Sequence, residues 1–140
     1  MKFWDASAVI PLCVEESQAR SVRQMLQDDT DMVVWWGTPV ECHSAFARLR
    51  REGSFTPQQE DDSRALLERL RGVWVEIEPS GEVRALAQKL LLSHPLRAAE
   101  SLQLAAALIW ANKLPRGHHL VCFDQRLRDA ARKEGFTLIP

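Results

Sequence analysis

Met32-Val33-Val34-Trp35-Trp36-Gly37-Thr38-Pro39-Val40-Glu41 changes character halfway along its length. Met32 to Trp36 is an apolar run with two valines and two tryptophans, and its length and composition predict a buried strand. Gly37 bounds the run. Thr38-Pro39-Val40-Glu41 then opens a helix by three local signals: a threonine cap, proline at the first helical position, and glutamate three residues after the cap. A buried strand running directly into a helix is the repeating unit of an α/β fold.

The same alternation extends to both sides. Upstream, Lys2 to Trp4 is a short apolar start that ends on Asp5. Ser7 is expected to cap a helix through Val9, Leu12 and Val14, with Pro11 in its first turn. A second helix, about 18–26, closes at Asp28-Asp29-Thr30-Asp31. Downstream, Cys42, Ala45, Phe46 and Leu49 form one helical face that Gly53 stops. Thr56-Pro57-Gln58-Gln59 repeats the start signal for a helix reaching Leu70, striped by Leu66, Leu67 and Leu70 and ended by Gly72. Val73, Val75 and Ile77 alternate with Trp74, Glu76 and Glu78, which is strand periodicity. A helix over about 80–92 is interrupted at Ser93-His94-Pro95, and the next, about 96–112, is apolar on nearly all sides and should be buried. Residues 120–123 form a strand ending on Asp124. Leu127, Ala130 and Ala131 mark a helix that Gly135 terminates, and 136–139 is a last strand. Strands alternating with helices predict one α/β domain over 1–140 with a mainly parallel sheet.

Composition narrows the function. The chain has 140 residues, 46% of them apolar and 26% charged, as expected of one folded domain. With 18 Lys+Arg against 19 Asp+Glu the net charge is −1, which argues against holding nucleic acid by bulk electrostatics. A nucleic-acid role then needs a local basic patch or bound cations. The longest apolar stretch, Leu104 to Ala111, is too short to cross a bilayer, and Asp5 breaks the only candidate leader. Cys13, Cys42 and Cys122 are odd in number and widely spaced. They read as buried thiols in a reducing compartment, consistent with the cytoplasm.

The carboxylates carry the strongest chemical signal. In open parallel sheets ligands collect beyond the carboxyl ends of the strands. Asp5 ends the first strand, Asp124 ends the fourth, and Glu41 lies in the first helical turn after the second. Glu100 is an acid early in an almost wholly apolar helix. Each has a structural alternative: Glu41 as the partner in a Thr38 capping box, Glu100 as a complement to its helix dipole, Asp5 and Asp124 as turn or capping acids. Jointly, acids gathered at one rim point to a hard divalent cation with oxygen ligands. Phosphate-loop, dinucleotide-fold and H-E-x-x-H motifs are absent. His118-His119 reads as solvated surface and the tryptophans as core, with Trp4 a candidate for the site mouth.

Four segments resemble the signature segments of PIN-domain ribonucleases, and in particular the VapC-like toxins of bacterial toxin–antitoxin pairs. They are Trp4-Asp5-Ala6-Ser7-Ala8-Val9, Pro39-Val40-Glu41-Cys42-His43-Ser44-Ala45-Phe46-Ala47-Arg48, Leu96-Arg97-Ala98-Ala99-Glu100-Ser101-Leu102-Gln103-Leu104-Ala105 and Phe123-Asp124-Gln125-Arg126-Leu127. Their order and spacing span essentially the whole chain. The resemblance implies a three-layer α/β/α sandwich and a site that binds Mg²⁺ or Mn²⁺ to cut RNA. Asp5, Glu41, Glu100 and Asp124 match the acidic quartet, and Ser7 matches the small hydroxyl residue after the first acid. The chain departs from the pattern twice: the third acid is usually Asp, and Cys122 stands where a hydroxyl residue is common.

Under that resemblance Asp5 and Glu100 are expected to ligate the metal directly, and Glu41 and Asp124 directly or through water. Arg48, two helical turns beyond Glu41, and Arg97, one turn before Glu100, are candidates for RNA phosphates, whereas Arg51 reads as solvated surface. The resemblance further implies a homodimer silenced by a small antitoxin whose C-terminal segment enters the site. A catalytically degenerate binding module and another metal-dependent phosphoesterase are the alternatives.

Overall fold

The computed structural model describes residues 1–140 as seven helices on a five-stranded sheet. In chain order the elements are β1 (Lys2–Trp4), α1 (Ala6–Cys13), α2 (Ala19–Asp28), β2 (Met32–Trp35), α3 (Thr38–Arg51) and α4 (Pro57–Arg71). The chain continues through β3 (Val75–Ile77), α5 (Gly81–Ser93), α6 (Ala98–Trp110), β4 (His119–Val121), α7 (Gln125–Glu134) and β5 (Thr137–Ile139). All strands are parallel, in the order β3-β2-β1-β4-β5. The chain therefore builds outward from β1 to β3, then returns to the other side of β1. The switch point lies between β1 and β4.

The sheet is covered on both faces, as the apolar runs require. Phe3, Val33 and Leu120 point to one side, where they pack with α5, α6 and α7. Their neighbours Trp4, Val34 and Val121 point to the other, against α1 to α4. This period-two split produces the three-layer α/β/α sandwich. Trp74 is buried just before β3 while Val73 and Val75 are exposed, because β3 is an edge strand. All three cysteines are buried free thiols, and no helix is long and apolar enough to cross a membrane.

Several local expectations change. Trp36, expected in the buried strand and the core, is 50% exposed because β2 ends at Trp35 and the chain turns out of the sheet there. The cap of α1 is Asp5, whose carboxylate accepts from the Ser7 N–H, so Ser7 lies inside the helix. Pro11 consequently sits in the second turn of α1, where it leaves out one N–H bond to the preceding turn, and the helix ends at Cys13. Trp4 is 0% exposed and belongs to the core, away from any site mouth, because its inward register on β1 is fixed by pairing with β2 and β4. His118 is half-buried, its ring edge-on to Trp110 at 4.9 Å, and only His119 is solvated surface.

Candidate active site

A cleft of about 460 Å³ opens at the switch point, and its walls include Asp5, Ser7, Glu41, Ser44, Arg48, Arg97, Glu100 and Asp124. The four acids thus meet from four segments. Asp5 and Asp124 cap α1 and α7, while Glu41 and Glu100 lie in the first turns of α3 and α6. Four positive helix ends therefore surround the cleft, which favours anionic side chains there.

Ser7 fastens the two central acids together. Its Oγ donates to Asp5 Oδ2 and accepts from the backbone N–H groups of Phe123 (2.9 Å) and Asp124 (3.3 Å). The end of β1 is thereby stitched to the end of β4, already joined by the Asp5 N–H to Val121 carbonyl bond of 3.0 Å. Cys122, at the position where a hydroxyl is common in the resembling family, offers its thiol to Asp5 Oδ2 at 3.6 Å. Burial and the Asp5 charge push that thiol above its ordinary range, so it stays protonated as a weak donor.

The structural alternatives for Glu41 and Glu100 exchange places. At α3 the cap is Gly37 and no side-chain cap forms; Thr38 Oγ1 accepts from Gln103, and Glu41 turns away from a capping role. Glu41 Oε2 instead accepts from Gln103 Nε2. Glu100 does cap: its Oε2 accepts from the Arg97 backbone N–H at 2.7 Å and lies 3.9 Å from Arg126 Nε. Arginine has no acceptor to reciprocate, so this is half of a capping box.

Electrostatics mark the cleft as short of positive charge. Burial raises the Asp5 carboxyl above its usual range, the Ser7 hydrogen bonds oppose this, and Asp124 repulsion adds to it. Burial likewise pushes Glu41 up to about 7, with Asp5 and Glu100 repulsion adding and the Gln103 hydrogen bond opposing. A bound cation relieves both effects.

The donor chemistry fits a hard divalent cation. Each acid commits one oxygen to the protein, leaving Asp5 Oδ1, Glu41 Oε1, Glu100 Oε1 and Asp124 Oδ2 without hydrogen-bond partners. No three of these groups converge into a ready-made ligand cluster, and Asp5, Glu100 and Asp124 each give their other oxygen to their own helix start.

Of the expected basic residues, Arg48 and Arg97 line the cleft and Arg51 is exposed surface outside it. Three contributors escaped the sequence reading. Ser44, one helical turn after Glu41, was accessible from spacing alone. Arg126 and Gln103 were not, because their partners Glu100 and Glu41 lie far off in the chain.

Neither known protein families nor curated proteins match this chain. Solved structures do. A toxin–antitoxin complex from Klebsiella pneumoniae is 16% identical with a TM-score of 0.61, over 90% of this chain and 88% of that one. FitAcB from Neisseria gonorrhoeae is 15% identical with a TM-score of 0.68, covering 100% and 97%. FitAB bound to an IR36 DNA fragment is 14% identical with a TM-score of 0.64, covering 99% and 94%. At these identities the likeness establishes the shared fold.

Proposed function

We propose that this chain is the toxin of a toxin–antitoxin pair and acts as a Mg²⁺- or Mn²⁺-dependent endoribonuclease of the PIN-domain type. The observation that carries the reading is the meeting of Asp5, Glu41, Glu100 and Asp124 around one cleft at the sheet's switch point. The resemblance of four sequence segments and the likeness in fold to a structure named as a toxin–antitoxin complex support it.

When bound, a divalent cation supplies Lewis acidity, neutralising charge on the scissile phosphate and making water a competent nucleophile at neutral pH. Asp5, Glu41 and Asp124 would hold it through their free oxygens, with Glu100 joining from α6, once the side chains draw together. Ser7 keeps Asp5 and Asp124 at a fixed spacing, so the ligands are oriented before substrate arrives. Arg48 and Arg97 grip the phosphates flanking the scissile bond. A cleft of carboxylates also fits a basic residue from a small antitoxin, and the active assembly is a homodimer.

The test is cleavage of RNA by the purified chain with Mn²⁺, with EDTA, and as D5N. Cleavage by the wild type with Mn²⁺ alone is expected; undiminished cleavage in EDTA sinks the reading. The capping bond of Glu100 favours one rival, a degenerate module that keeps the fold and only binds. Cleavage seen in E100D and absent from the wild type would establish that rival.

A further inference from the structure

We infer that Gln103 is a positioning residue for Glu41, holding one carboxylate oxygen so that the other is presented to the acidic cleft. The inference rests on the metal-site reading above. Gln103 is 1% exposed on α6, a helix whose other buried residues are Leu, Ala and Ser. A buried carboxamide is unfavourable unless hydrogen-bonded, and leucine at this position would carry no such burden. Both of its N–H groups go to α3: Nε2 donates to Thr38 Oγ1 at 3.1 Å and to Glu41 Oε2. Its Oε1 is buried without any partner.

That orphan oxygen argues against a role as a simple tie between helices. A tie is served by an apolar contact between the two helices, which leaves no buried acceptor unsatisfied. What the amide adds is orientation. An ionised carboxylate accepts only from a donor, so Nε2 must face Glu41, and Thr38 accepts the second N–H and holds the amide in that sense. Glu41 Oε2 is then fixed and Oε1 is the free oxygen. Groups that orient a ligand in this way typically contribute about 10–100-fold to metal affinity.

Mn²⁺ titration of the wild type, Q103M, E41Q and the double variant tests this, read as dissociation constants from calorimetry. Q103M is expected to weaken Mn²⁺ about 10-fold or more, and to have no further effect once Glu41 is already E41Q. Q103M affinity within about two-fold of wild type overturns the inference, as does a loss of similar size in the E41Q background. Should Q103M not fold, Q103N carries the same comparison, since it keeps the amide but is one methylene too short to reach Glu41. A wild type that takes up no Mn²⁺ overturns the metal-site reading itself, whereas wild-type uptake with Q103M unchanged overturns only the role of Gln103.

Discussion

Glu100 Oε2 accepts a hydrogen bond from the backbone N–H of Arg97 at 2.7 Å, so one acid of the cleft also starts the helix that carries it. The two roles use different oxygens and separate by substitution. E100Q keeps an acceptor for Arg97 and loses the charge; E100A loses both. Thermal unfolding should show E100A destabilised by about 1 kcal/mol and E100Q by much less, while Mn²⁺ affinity falls in both. Equal Mn²⁺ affinity in E100Q and wild type would assign Glu100 to capping alone.

Asp5 is 5% exposed and burial works against its charge. D5N keeps a good helix cap and the acceptor for Ser7 while removing that charge. In metal-free buffer at about pH 8, well above the ordinary carboxylate range, D5N should therefore melt no lower than wild type, and it should cut no RNA. A large fall in melting temperature would mean that Asp5 is held chiefly for stability.

Glu41 sets a pH dependence whose sign is fixed by its elevated pKa. Unfolded, the carboxyl titrates at its ordinary 4.5; folded, at about 7. Between these values the folded chain holds the extra proton, so metal-free stability falls as pH rises through the window. The fall is at most about 3 kcal/mol, at about 1.36 kcal/mol per pKa unit. Denaturant midpoints at about pH 5 and about pH 8 should show it, with E41Q flattening the profile. Mn²⁺ uptake near about pH 6 should release a proton in wild type and less in E41Q.

Ser7 Oγ holds three groups at once: the Asp5 carboxylate and the N–H groups of Phe123 and Asp124. S7A leaves two backbone donors beside the cleft without this acceptor. Urea unfolding should register a loss of about 1–3 kcal/mol, and Mn²⁺ affinity should fall because Asp5 and Asp124 lose their common tether. Unchanged metal affinity in a destabilised S7A would confine Ser7 to the fold.

Arg48 and Arg97 line the cleft, and Arg126 reaches Glu100 from α7. RNA affinity should fall on substitution of any of the three by alanine. The slope of log affinity against log salt should drop by about 1 for each phosphate that is no longer neutralised. Filter binding in Ca²⁺ at several salt concentrations measures this, and an unchanged slope removes that arginine from the phosphate path.

Much of the fold was legible because its signals are local. The helix starts at Thr56 and Ser80 and the stop at Gly135 lie where capping chemistry predicts, since a cap is decided within four residues. The start at Thr38 fails the same rule for a reason outside that window: Gln103 takes the threonine hydroxyl as its acceptor. Ser7 and Pro11 sit deeper in α1 than local capping rules predict, because Asp5 outcompetes Ser7 for the end of that helix.

Sequence alone determined which residues are carboxylates, that they fall at strand ends and helix starts, and that a parallel α/β sheet follows from the alternation of apolar runs. These are matters of chemical identity and short-range periodicity. Tertiary structure alone decided which oxygen of each acid is free, that Glu100 caps while Glu41 does not, and that Gln103 and Arg126 complete their surroundings. Hydrogen-bond direction depends on atoms within about 3 Å. In a switch-point cleft those atoms come from segments as far apart as Glu41 and Gln103, and only the packed sheet brings them within reach.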